Sequence, residues 1–200
     1  MAANIQNFYQ KAKDGFSRDF SFRVAGITWG AELPEGVTDF SGDETGDLVF
    51  ARSASFPSRT IQDKTVNYAG QEFHLGGKAD YGDSASWAID FYCDTSCSLR
   101  SNLETVSRNI FGGTADDEAP IGTGEYGIGT ATIDLEVLNK ELDVVKNIVL
   151  HGAQLRDISE LGYSIADGTG EVMTFSATFA YQWYTTKTSA NGSTAAAAYG

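Results

Sequence analysis

From Met173 to Trp183 the chain alternates almost without fault. Met173, Phe175, Ala177, Phe179, Tyr181 and Trp183 fall on one phase, and Thr174, Ser176, Thr178 and Gln182 on the other. Side chains of a strand point to opposite faces in turn, so a period of two over this length predicts a half-buried β-strand and excludes an amphipathic helix. A strand of this kind needs neighbours with the same one-sided character. Phe20, Phe22 and Val24 alternate with Ser21 and Arg23 in a first strand read from Phe16 to Trp29. Trp87, Ile89, Phe91 and Cys93 alternate with Ala88, Asp90 and Tyr92, and Ala131, Ile133, Leu135 and Val137 with Thr132, Asp134 and Glu136.

Shorter signals complete the pattern. Leu48 to Ala54 reads as a short strand, and Pro57, which has no amide donor, marks an edge or a crossing loop. Val66 and Tyr68 face Phe73 and Leu75 across Ala69-Gly70, which predicts a hairpin that Gly76-Gly77 then ends. A second hairpin turns at Asn139-Lys140 into a strand over Leu142 to Leu150, followed by a packed loop from His151 to Glu160. Leu161, Tyr163 and Ile165 then form a short strand leading through Asp167-Gly168-Thr169-Gly170 into the long one. One helix is expected: Leu99, Leu103, Val106 and Ile110 recur at helical spacing, Asp94, Thr95 and Ser96 offer caps, and Gly112-Gly113 stops it. The fold class that follows is mostly β, an antiparallel sandwich or barrel with one main α-helix. Residues 16–184 form the β domain with inserted loops at 30–47 and 114–127, residues 1–15 are an N-terminal segment, and residues 185–200, poor in large apolar side chains, are a flexible tail.

Composition narrows the function. The chain has 200 residues, 27 acidic against 14 basic, and a net charge of -13, so the electrostatic attraction that drives most nucleic-acid binding is missing. Met1 to Gly15 holds no apolar run long enough for a signal peptide or a membrane span, which predicts synthesis in the cytoplasm and no membrane partner. Two cysteines, Cys93 and Cys97, exclude a disulfide framework, and with only His74 and His151 as further soft ligands a zinc site is not expected. The two histidines sit in no catalytic motif, and Gly122-Thr-Gly124-Glu-Tyr-Gly127 lacks both the lysine of a phosphate loop and a preceding apolar strand. No enzyme and no cofactor are expected.

Four stretches, taken in order, resemble the tail tube proteins of contractile-tailed, T4-like bacteriophages. The first runs from Ala54-Ser-Phe-Pro57 through Val66-Asn-Tyr68-Ala-Gly70 to Phe73-His-Leu-Gly76; the second is Trp87-Ala-Ile89-Asp-Phe91-Tyr92 leading past Asp94 into the helix. The third is the hairpin containing Ile133, and the fourth the segment from Leu155 to Tyr184 that finishes in Tyr181-Gln-Trp183-Tyr184. Together they span Phe20 to Tyr184, with the acidic loops as insertions.

The resemblance implies a homohexameric ring in which each subunit lends strands to a continuous inner β-barrel, with rings stacking into a hollow tube. About 24 strands spaced about 4.8 Å and tilted about 40° enclose a backbone diameter of about 48 Å, enough for a DNA duplex. Implied partners are further copies of the chain, a sheath protein, a tape-measure protein, baseplate and tube-terminator proteins, and double-stranded DNA in transit. The implied location is the virion tail tube, assembled in the host cytoplasm. Lumen-lining candidates are the carboxylates Asp90, Asp134, Glu136 and Asp143, each with a solvated or sheath-facing position as the alternative; an acidic wall would keep DNA from sticking. Interface candidates are Phe16, Asp39, Asp43, Tyr68, Gln71 and Phe73. Alternatives that share the architecture are the tube protein of a non-phage injection or secretion system and a baseplate protein that initiates the tube. A rival of another class is a carbohydrate-binding sandwich using Trp29, Tyr68, Trp87 or Trp183, although Trp87 and Trp183 lie on the apolar phase of their strands.

Overall fold

The computed structural model describes residues 19–30, 40–41, 47–81, 86–110, 131–163, 170–190 and 193–195. Phe16, Asp39, Asp43 and the insertion at 114–127 lie outside the described residues. The described elements are almost all antiparallel β, as the alternation requires. They are β1 (Phe22–Trp29), β2 (Phe40–Ser41), β3 (Ala51–Ala54), β4 (Thr60–Tyr68), β5 (Gln71–Asp80), β6 (Ser86–Tyr92), the helix α1 (Ser98–Ile110), β7 (Ala131–Leu138), β8 (Val144–Ile158), β9 (Thr174–Ala180), β10 (Trp183–Ala190) and β11 (Ser193–Ala195).

Nine of the described strands form one sheet that folds over itself along β8. The first half of β8 lies between β7 and β10, in a layer that β1, β2 and β11 complete; its second half pairs with β9, which leads to β6 and β3. The inner faces of the two layers meet in one core, where the Trp29 ring of β1 lies 6.4 Å from Phe179 of β9, and Phe179 lies 5.8 Å from Trp87 of β6. Trp87 is fully buried and its indole N–H donates to the Ser55 carbonyl at 2.7 Å. The helix buries Leu99, Leu103 and Val106 in the same core and is tied to the chain just past β8, where Arg100 Nη2 donates to Ser159 O at 3.2 Å. Its start is capped by Asp94, whose carboxylate accepts from the Ser98 N–H at 3.1 Å and is held below the ordinary carboxylate range by the Ser96 hydroxyl first and by Ser98 after burial is offset.

Several sequence expectations are corrected. Of the first strand, read from Phe16, the described residues 19–21 are not strand and β1 begins at Phe22; Phe20 is exposed, and a bulge between Val24 and Gly26 shifts the phase so that Val24, Ile27 and Trp29 all face inward. The region read as an acidic excursion supplies β2, whose Phe40 is buried edge-on to Trp29. Residues 47–50 form a 3-10 turn that buries Leu48, so the strand expected from Leu48 starts at Ala51. Gly76-Gly77 does not end its hairpin: β5 runs on to Asp80 through a bulge opposite Gln62, and an added Cβ at Gly77 would come 3.1 Å from the Gln62 carbonyl oxygen, so the glycine serves a close approach and not a break. Leu161 to Tyr163 is not strand.

The largest corrections concern β8 and its partner. The segment from His151 to Ile158, read as a loop, continues β8, and the polar stretch after Tyr184, read as a tail, continues as β10 with Thr185–Thr188 paired to β8. The long alternating strand breaks at Tyr181-Gln182. Opposite this break sits Gly152 with φ +63°, where an added Cβ would lie 2.8 Å from Gln182 Cγ. On β8 the core residues are Leu150 and then Ala153, and on the partner Tyr181 and then Tyr184, so both strands use one extra residue at the crease and both reverse phase together. That reversal turns Trp183 out of the core, to 49% exposed.

Candidate assembly surfaces

Strands β4 and β5 form a two-stranded sheet of their own, separate from the nine-stranded one. Its turn holds Ala69 at φ 51° and Gly70 at φ 77°, both left-handed, as a tight two-residue hairpin of the primed kind demands. Residues paired directly across an antiparallel ladder share a face. Tyr68 opposite Gln71, Val66 opposite Phe73 and Lys64 opposite Leu75 therefore form one face, while Asn67 opposite Glu72 and Thr65 opposite His74 form the other. The first face is apolar and uncovered, with Val66, Tyr68, Phe73 and Leu75 between 42% and 73% exposed. The second is polar, and His74 Nδ1 bonds the Asp63 carboxylate there at 2.5 Å. Three of the six predicted interface residues, Tyr68, Gln71 and Phe73, thus come together on one surface.

A second surface is the outer face of β1, β7, β8 and β10. Cross-strand rows put Arg23 beside Glu136, Asn147 and Lys187, and Asp134 beside Val149 and Thr185. Arg23 Nε donates to Glu136 Oε2 at 2.9 Å. Burial first, and the Glu136 carboxylate second, raise Asp134 above its ordinary value, against the pull of Lys187 and His151. His151 Nε2 lies 2.9 Å from Thr185 Oγ1, and its ring stacks on Trp183 at 5.5 Å between centroids and 22° between planes.

Of the four carboxylates predicted to share a surface, only Asp134 and Glu136 do. Asp143 is in the turn between β7 and β8, where its N–H donates to Asn139 Oδ1 at 2.8 Å, because the loop is wider than the two residues expected and Leu142 takes φ 65°. Asp90 lies on β6 in the other layer, paired with Ser176 and bonded by the Ser53 hydroxyl. The face is also not an acidic wall: among the described residues its carboxylates, Asp134 and Glu136, are matched by the cations Arg23 and Lys187. Sequence reading missed His151, Trp183, Thr185 and Lys187 because it assigned them to a loop, the core and a tail. The available signal was the run Thr185, Thr186 and Thr188, since β-branched residues favour strands even where apolar ones are lacking.

A third feature is the open margin. Among the described residues β3 pairs on one side only, with β6, and β2 covers just Gly26 and Ile27 of β1. Such edges present unpaired backbone N–H and C=O groups to any strand that can reach them. No group of three or more His, Cys, Asp or Glu among the described residues could hold a metal, and no described helix is long and apolar enough to cross a membrane.

The sequence matches no family model and no curated protein. Solved structures do match. A chain in the six-fold symmetrised baseplate of the anti-feeding prophage superposes with TM-score 0.55 at 15% identity, covering 86% of this chain and 95% of that one. A chain in the sheath-tube complex of the extracellular contractile injection system PVC, in its extended state, gives 0.54 at 9%, covering 90% and 97%. A chain in the tube-terminating cap of the anti-feeding prophage gives 0.57 at 12%, covering 87% and 92%. At these identities the likeness is one of fold, and the expected resemblance to contractile-tail tube proteins is met at that level: this chain has the mostly antiparallel β fold, with one α-helix among the described residues, of components of contractile injection systems.

Proposed function

We propose that this chain is a tube subunit of a contractile injection machine, with six copies closing a ring and rings stacking into a hollow conduit. The observation that carries the reading is the β4–β5 ribbon with one apolar face exposed, beside a sheet in which, among the described residues, β3 pairs on one side only. A lone two-stranded hairpin is marginal in water, so the ribbon gains order when another surface covers that face. The neighbouring subunit or ring is that surface, and Phe16, Asp39 and Asp43 belong to the same contacts. The outer face of β1, β7, β8 and β10, with Asp134 and Glu136, lines the channel. Sheath, baseplate and terminator proteins are its further partners, in line with the kinds of complex in which the matched folds occur.

Negative-stain microscopy of the full chain over a concentration series tests this. Rings or hollow rods are expected; a dispersed monomer at every concentration, binding oligosaccharide through exposed aromatics, would overturn it. Within the reading, a phage tail tube passes double-stranded DNA over a tape-measure protein, whereas a non-phage injection tube does not. The second version is favoured by the matches to extracellular injection systems and by the charge-balanced face. Nuclease-resistant genomic DNA in purified particles decides for the phage version.

A further inference from the structure

The connection from β6 into α1 holds both cysteines of the chain. Cys93 directly follows β6, its N–H donating to Met173 O at 2.9 Å, and Cys97 directly precedes α1. Between them Asp94 O accepts from the Cys97 N–H at 3.1 Å and closes a tight turn that folds Cys97 back toward Cys93. Cys97 Sγ lies over the turn, 3.6 Å from Asp94 O, and near enough to the Cys93 thiol to act on it electrostatically. Cys97 takes φ 50°, a left-handed conformation unfavourable for any residue with a Cβ and more easily held by glycine or asparagine. Both thiols are half-buried, and Cys97 Sγ lies 3.8 Å from the hydroxyl of the exposed Tyr163, so small reagents reach the pair from the surface.

We propose that Cys93 and Cys97 form a reversible disulfide that pins the strand-to-helix connection when the protein meets an oxidising medium. Two cysteines rule out a framework of several bridges, not one local bridge, and the proposal does not depend on tube assembly. The oxidant is a low-molecular-weight disulfide such as oxidised glutathione. Cys97, as thiolate, attacks one sulfur of the reagent, the reagent's S–S bond breaks, and one small thiolate leaves and takes a proton. Cys93 then loses its proton to solvent and attacks the Cys97 sulfur of the mixed disulfide, expelling the second small thiol. The protein gives up two protons and two electrons, and the reagent gains them as two thiols. Cys97, whose sulfur lies beside the exposed Tyr163, is the thiol a reagent reaches first, and Cys93, pushed up to about 11 by burial and then by the adjacent Cys97 thiol, is the resolving one.

Intact-mass spectrometry of the full chain after oxidised glutathione tests the bridge, with a dithiothreitol-treated sample in parallel. Wild type should lose about 2 Da, resist alkylation at both cysteines, recover both on reduction, and melt at a higher temperature when oxidised. Cys93→Ser should stop at a single glutathione adduct on Cys97, and Cys97→Ser should acquire its adduct more slowly. Complete alkylation of both thiols after oxidation, two glutathiones on the wild-type chain, or covalent dimers on a non-reducing gel would each overturn the proposal. The wild-type measurement decides even if a serine variant folds poorly.

Discussion

Gly152 marks the one position where β8 must change layers, and two separate constraints meet there. Its φ of +63° disfavours any side chain, and a Cβ would lie 2.8 Å from Gln182 Cγ and 3.4 Å from Gln182 Cβ. Gly152→Ala should therefore cost about 1 to 3 kcal/mol, read from urea midpoints. Gln182→Ala removes the nearer atom, so the double variant should recover the steric part of the loss and leave the backbone part. A Gly152→Ala chain as stable as wild type would mean that the crease is not held by this glycine. Asp134 makes a different prediction. Its pKa is raised above the ordinary 3.8, chiefly by burial and then by Glu136, so the folded state holds the proton more tightly than the unfolded one. That favours the folded state below the ordinary value and is lost as pH rises through the raised one. Asp134→Asn should accordingly match wild type at acid pH and be the more stable protein near neutrality, with the gap opening across the carboxylate range.

The β4–β5 ribbon tests whether an element can be spared by the subunit and required by the assembly. Phe73 and Leu75 lie on its uncovered face, so Phe73→Ser with Leu75→Ser should move the thermal midpoint of the dispersed subunit by little while abolishing rods in micrographs. Rods that persist in the double variant would take this face out of the contacts. The ribbon was also the most legible element in the sequence, because Ala69-Gly70 is a local turn signal and the flanking alternation needs nothing from the rest of the fold. Trp87, Ile89 and Phe91 were legible for the same reason, their strand being flat and one-sided. Legibility failed where the phase reverses. Val24 to Ile27, Leu150 to Ala153 and Tyr181 to Tyr184 each carry one extra residue, and a period-two reading has no means of placing it. Trp183 was read as core on that account, although the strand facing it reverses at the same point and turns it out. The candidate channel face suffered most: Asp134 and Glu136 could be seen as a pair on one strand, but Arg23, His151 and Lys187 join them only through pairings with β1, β8 and β10 that are distant in sequence.

Charge acts on the molecule as a whole. The stretches 30–47 and 114–127 hold ten of the 27 acidic residues and none of the 14 basic ones, while the face of β1, β7, β8 and β10 is balanced. The net charge of -13 is therefore concentrated in the insertions rather than in the candidate channel. Six such chains brought together, and one ring brought onto another, repel through this charge, whereas the ribbon's apolar contacts are insensitive to screening. The range of the repulsion falls from about 30 Å at 0.01 M salt to about 8 Å at 0.15 M. Rod formation followed by light scattering should thus begin at a lower protein concentration as salt rises through that range. Replacing Glu32, Glu35 and Glu44 by glutamine removes three negative charges and should let rods form at low salt with a weaker salt dependence. If rods instead grew best at low salt and the amide variant assembled less well, the insertions would be making attractive contacts with cationic groups on the next subunit, and assembly would be driven by charge pairing rather than by burial of the ribbon.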